Sequence, residues 1–114
     1  MGTIKLSDVT PEVIAQGRTR YLAHLSNLMM VVIDFHDGPT AQPDPPHSHP
    51  HEQITYVADG EVLYFRGSDE YRLRKGDMIT IPPGTPHCIQ TLTNHVTMVD
   101  SFYPLRLDFL NKNQ

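Results

Sequence analysis

The residues in this chain best suited to chemistry are a set of histidines and one glutamine. His47 and His49 stand two apart in PPHSHPHEQ, and Gln53 follows at the same parity. In extended backbone alternate side chains share a face, so two imidazoles and a side-chain amide can converge on one point. A second stretch, GDMITIPPGTPH, turns at Gly76 and Asp77, runs through MITI as a buried strand, and turns again at Pro82, Pro83 and Gly84 to deliver His87. Three imidazoles and one amide oxygen make a ligand set for one divalent metal ion, with room left for water or substrate. A glutamate in the fourth place would leave the ion with a net charge of about +1, whereas Gln53 leaves the full +2. Such an ion attracts a carboxylate or enolate oxygen and is poorly suited to the ferric state of oxygen chemistry, so the set points to binding or rearranging an anion. His51 has the same parity and a better ligand atom, which makes it a rival to Gln53 or else a polar group at the pocket mouth. The identity of the ion stays open among nickel, zinc, manganese, iron and cobalt, because affinity follows the Irving–Williams order whatever the cell supplies.

A second group stands in MVDSFYPLRLDFL. Asp100 and Phe102 share a parity and would point into one space, while Pro104 ends the strand and lets Arg106 turn back over a barrel mouth. Beside a dipositive ion these residues suit a carboxylated sugar. Arg106 would hold the carboxylate in a bidentate pair, Phe102 would cover an apolar ring face, and Asp100 would move protons. Taken singly they have plainer readings as a turn cap, a core aromatic and a surface ion pair; the grouping is what suggests a function.

The elements that must position these residues are short β-rich runs: YLAHL, LMMVVIDF, QITYVA, EVLYF, YRLR, MITI and the stretch from His95 to Phe102. Gly, Asp, Asn and Pro separate them. Spacers such as ADGE around Gly60 and RGSDE around Gly67 are hairpin-sized, and no connection is long enough for a crossover helix. An all-β antiparallel barrel or two-sheet sandwich follows. The four prolines of DGPTAQPDPP favour extended, non-helical backbone leading into His47. Thr10, Pro11 and Glu12 read as an N-cap, a helix-starting proline and a first-turn acid, predicting a short helical turn through Val13 to Gln16. Met29, Met30, Met78 and Met98 read as core packing, Met29 and Met98 also as pocket wall. Tyr56 and Tyr64 read as half-buried strand aromatics, with Tyr56 the one offered to substrate. His24, His36 and His95 read as isolated polar strand residues, and Cys88, opposite in parity to His87, as turned away from the metal.

A length of 114 residues with 39% apolar composition fits one domain spanning 1–114. No run approaches the roughly 18 to 20 apolar residues that span a bilayer, and MGTIKLSDVTPE lacks the order of a signal peptide, so a cytoplasmic protein without a membrane partner is expected. One cysteine excludes an internal disulfide and agrees with a reducing compartment. A net charge of −4 without a basic stripe gives no footprint for nucleic acid.

At this point the residues resemble a known family. HSHPHEQITYVADG, over 47–60, is similar to the first cupin motif, HXHX3EX6G, with Gln53 in the place of the usual glutamate; GDMITIPPGTPH, over 76–87, is similar to the second, GX5PXGX2H. Two departures are the position of Gly38, further from the first histidine than the motif expects, and Thr91 in place of a closing asparagine. The resemblance implies a single cupin jelly-roll barrel, commonly a homodimer, with the metal inside. GRTRYL, HSHPHEQ and the DXFXPXRXDFL tail further resemble the KdgF-type cupins of pectin and alginate breakdown. That likeness implies an isomerase-like, metal-dependent enzyme that linearises 4,5-unsaturated monouronates, with an anionic sugar as its small-molecule partner. The competing readings are a metal-dependent dioxygenase on the same barrel and a non-catalytic sugar-binding cupin.

Overall fold

In a computed structural model that describes residues 3–110, the strands foreseen from QITYVA, EVLYF and their neighbours form two antiparallel sheets. A 3₁₀ turn, Leu6–Asp8, precedes β1 (Glu12–Ala15), β2 (Arg18–His24), β3 (Met29–Phe35), β4 (Glu52–Asp59) and β5 (Glu61–Arg66). After these come β6 (Asp69–Arg74), β7 (Met78–Ile81), β8 (His87–Thr91), β9 (Val96–Tyr103) and a short helix, α1 (Leu107–Leu110). One sheet has the order β1-β2-β3-β9-β4-β7 and the other β6-β5-β8, which is the jelly-roll arrangement. No helix among the described residues is long and apolar enough to cross a membrane.

The helical turn predicted over Val13 to Gln16 is instead strand, and the N-terminal turn lies upstream, at Leu6–Asp8. A helix that short has little stability of its own, whereas Glu12–Ala15 gains ladder bonds along β2 and an ion pair of 2.8 Å between Glu12 and Arg20. RGSDE is a hairpin, with Arg66 opposite Asp69. ADGE is not: it passes the chain from β4 in the large sheet to β5 in the small one. The corner is tight, because Gly60 has φ of +80° and a Cβ there would lie 2.3 Å from the carbonyl oxygen of His95. MITI, expected to be buried throughout, alternates, with Ile79 and Ile81 inward and Met78 and Thr80 outward. Met30 is also outward, so only Met29 and Met98 pack the core. Nor are His36 and His95 isolated: their rings stack at 4.7 Å, and His95 stands between Asp59 (2.9 Å) and Asp34 (3.4 Å).

What positions the site is the alternation of β4 and β9. Gln53, Thr55 and Val57 face inward from β4; Val96, Met98, Asp100 and Phe102 do so from β9. The register sets Gln53 beside Phe102, Thr55 beside Asp100, and Val57 beside Met98. One end of the interior is therefore polar. The other is closed by Phe35, Val57, Val62, Ile79, Ile89 and Val96, whose burial supplies the apolar core.

Candidate metal centre

His47 reaches the site on the extended, proline-rich approach and is fastened directly opposite His87. The two residues exchange both backbone hydrogen bonds, His47 N to His87 O at 3.0 Å and His87 N to His47 O at 2.9 Å. The backbone N–H of Gly84 donates to the carbonyl of His49 at 2.8 Å, tying the same approach to the turn after β7. Ring centroids are 4.3 Å apart for His47 and His87, 4.9 Å for His49 and His87, and 5.8 Å for His47 and His49. One ring nitrogen from each lies within 4.8 Å of the other two, a spacing that could hold a metal ion.

The nitrogens are also oriented for an ion. His49 Nδ1 donates to the carbonyl of His51 at 3.0 Å, which turns Nε2 to within 2.9 Å of Gln53 Oε1. His87 Nδ1 donates to the carbonyl of Thr85 at 2.9 Å, leaving Nε2 buried with no hydrogen-bond partner. A neutral imidazole that donates through Nδ1 presents a lone pair at Nε2, so His87 offers an unmatched acceptor and His49 aims one at a carbonyl oxygen. A cation at the meeting point satisfies both, and the residues present fit a divalent ion. Burial, with help from His47 and His49, lowers the His87 pKa to about 4, the carbonyl of Thr85 opposing. Burial and then His49 lower that of His47. At neutral pH both rings are in the uncharged form that ligation needs.

Gln53 is held from behind. Its Nε2 donates to Thr55 Oγ1 at 2.9 Å and to Tyr64 OH at 3.3 Å, so Oε1 faces the histidines. Thr55 Oγ1 in turn donates to Asp100 Oδ1 at 2.6 Å. Burial pushes the Asp100 carboxyl up to about 6 despite the hydrogen bond from Thr55 and the positive charge of Arg106.

A cavity of about 510 Å³ is lined by His47, Gln53, His87, Asp100, Phe102 and Arg106; His49, the remaining histidine of the expected ligand set, lies outside its lining and joins the others through its ring nitrogen. Arg106 is not free: its Nε and Nη2 bind Asp108 at 3.2 and 2.7 Å, and its guanidinium lies 5.3 Å from the Phe102 ring and 4.0 Å from the Phe109 ring. His51 is outside the group of ligating nitrogens and serves through its carbonyl, while its ring lines a separate groove with Leu105, Leu107 and Asp108. Tyr56 faces out of the barrel and cannot meet a ligand inside it. Cys88, although outside the ligand group, does line the cavity, and burial raises its thiol pKa.

Sequence reasoning passed over Thr55, gave Tyr64 only a packing role, and passed over Arg18 and Arg20. The first two share the inward parity of Gln53 and Val62, which is the signal that could have found them. Arg18 and Arg20 alternate within GRTRYL and line the same cavity, Arg18 paired with Asp44 at 2.7 Å and Arg20 with Glu12.

Comparison with known proteins agrees with this geometry. The cupin domain family matches residues 34–101. The pectin degradation protein KdgF of Dickeya dadantii (strain 3937) is 32% identical over 108 residues, which is 92% of this chain and 96% of that protein. The structure of KdgF from Halomonas sp. superposes with a TM-score of 0.83 at 29% identity, over 92% of this chain and 96% of the other. An RmlC-like cupin from Shewanella frigidimarina NCIMB 400 superposes with a TM-score of 0.86 at 28% identity, over 96% of each chain. With the family match spanning most of the barrel and the full-length likeness to KdgF, this chain belongs to the cupin family and to its KdgF-type members.

Proposed function

We propose that this protein linearises 4,5-unsaturated monouronates from pectin or alginate breakdown to open-chain 4-deoxy-5-keto uronates. The observation that carries the reading is one cavity in which His47, His87 and the Gln53 amide meet a buried carboxyl of pKa about 6 and a guanidinium, with His49 completing the group of three ring nitrogens. Support also comes from a relative over nearly the whole chain that is named for pectin degradation.

The substrate is a cyclic hemiacetal whose ring oxygen is part of an enol ether conjugated to the C6 carboxylate. Loss of the C1 hydroxyl proton breaks the bond between C1 and the ring oxygen. C1 becomes an aldehyde, and C5 becomes a ketone once C4 is protonated, with no net oxidation. Asp100 takes the first proton and delivers the second, and a pKa of about 6 lets it do both near neutrality. The oxygen that does so is Oδ2, because Oδ1 is engaged by Thr55. Arg106 binds the C6 carboxylate through its Nη1 side, its Nε and Nη2 being on Asp108. Phe102 covers a ring face and keeps water from the reacting carbons. A divalent ion held by His47, His49, Gln53 and His87 would supply a Lewis acid for the carboxylate and for the charge developing at the C5 oxygen.

The test is loss of the conjugated alkene's ultraviolet absorbance when metal-loaded protein meets unsaturated galacturonate, or its alginate-derived counterpart, under anaerobic conditions. Turnover is expected without oxygen, and Asp100→Ala should lose about 100-fold or more of the rate at unchanged metal content. A requirement for oxygen, or an active Asp100→Ala protein, overturns the reading.

We further infer that the protein is a homodimer. Met30, Ile54, Tyr56 and Met78 are 51%, 50%, 40% and 66% exposed on the outer face of the large sheet, and Ser101 and Val99 bridge them in register. A patch of this kind, running from β3 across β9 and β4 to the edge strand β7, suits burial against a second copy. A cytoplasmic location agrees with the free Cys88, and cell fractionation would check it.

A further inference from the structure

Thr55 is fully buried, and its hydroxyl meets three polar atoms: Gln53 Nε2 at 2.9 Å, Tyr64 OH at 3.3 Å and Asp100 Oδ1 at 2.6 Å. A hydroxyl has one proton and two lone pairs. An amide nitrogen can only donate, and a carboxylate can only accept. The Thr55 proton is therefore committed to Asp100, and its lone pairs accept from Gln53 and from Tyr64. Tyr64 OH in turn accepts the second N–H of Gln53 at 3.3 Å. Every donor of the cluster, the two N–H groups of Gln53 and the hydroxyls of Thr55 and Tyr64, is matched in this one arrangement.

Turning the Gln53 amide over breaks it twice. Oε1 would then face a hydroxyl that has no proton left to give, and the amino group would face the side of His49 Nε2 where an ion is expected. The cluster also explains why an amide stands here rather than a carboxylate. A glutamate at position 53 would put a second acceptor against Thr55, whose single proton cannot serve both it and Asp100, and would set two carboxylates across one hydroxyl.

We propose that Thr55 is a positioning residue for the metal centre: its hydroxyl, backed by Tyr64, fixes Gln53 so that the carbonyl oxygen and not the amino group faces His47, His49 and His87. The proposal rests on the metal reading above. Tyr64, at the foot of the same network, is the lesser partner, because its contacts at 3.3 Å are the longer ones.

Titration of chelator-stripped protein with cobalt(II), followed by its visible absorption, tests this directly, with circular dichroism as the check on folding. Thr55→Val keeps the shape and removes the hydroxyl; it should weaken binding by about 10- to 100-fold, with Tyr64→Phe weaker than wild type by a smaller factor. Thr55→Ser restores the hydroxyl and should bind within about threefold of wild type. Wild-type affinity in folded Thr55→Val, or a Thr55→Ser protein as weak as Thr55→Val, overturns the positioning role. If Thr55→Val does not fold, wild-type affinity in Tyr64→Phe overturns it instead. Failure of the wild-type protein itself to take up cobalt overturns the metal reading, which separates the two outcomes.

Discussion

Burying a carboxyl among Thr55, Gln53 and Tyr64 sets function against stability at a single residue. The folded pKa of Asp100, about 6, lies above its ordinary 3.8. Its contribution to stability is thus complete below pH 3.8 and lost as pH rises through 6. At pH 8 the folded protein carries the penalty of a buried charge, about 3 kcal/mol at most. Asp100→Asn, which can still accept from Thr55, should raise the melting temperature of chelator-treated protein by several degrees at pH 8 and by much less at pH 4. The neutral His87 also favours folding less in acid, but both proteins share that term. Equal shifts at the two pH values would sink the account. At this scale the grouping of His47, His49 and His87 was legible because their spacing within two motifs brings the imidazoles together. Thr55 and Tyr64 were not, since an uncharged hydroxyl acquires its meaning only when three strands bring Gln53, Asp100 and a phenol together.

For the strands, the alternation in QITYVA and EVLYF was enough to place β4 and β5, and it failed where tertiary pairing decided. Glu12–Ala15 carries helix-start residues but is drawn into the sheet by β2. The strand β8 escaped notice because HCIQT follows directly on the proline-rich turn and opens on a histidine, and its pairing with β5 is a long-range event. The bend at Gly60 looks like a hairpin in sequence, since a corner between sheets and a two-residue turn use the same residues. The two kinds of turn respond differently to a methyl group. Gly67 has φ of +60° with open space around it, so Gly67→Ala should cost about 1 to 2 kcal/mol. Gly60→Ala adds a clash with the His95 carbonyl and should cost at least about 2 kcal/mol more. Urea midpoints would compare them, and equal losses would mean that the corner can relax.

Across the whole molecule, the barrel is polar at one end of its interior, apolar at the other, and apolar again on the outside of its larger sheet. The interior division could be anticipated from parity along β4 and β9. The outer face could not, because Tyr56 reads as a half-buried aromatic offered to substrate when its strand is taken alone, and only the pairing of β3, β9, β4 and β7 gathers the outward residues into one patch. Paired substitution of Ile54 and Met78 by lysine should convert a dimer into a monomer with little change in fold, as measured by light scattering; a wild-type monomer would remove the inference. The fastening of His47 to His87 and of His49 to Gly84 uses main-chain atoms that no ion touches. The cage is framed by the barrel and does not wait for its occupant, unlike small domains that fold only around a metal. An ion held there would then exchange in the folded state, so that the metal pool around the protein, more than its biosynthesis, would decide which one it carries.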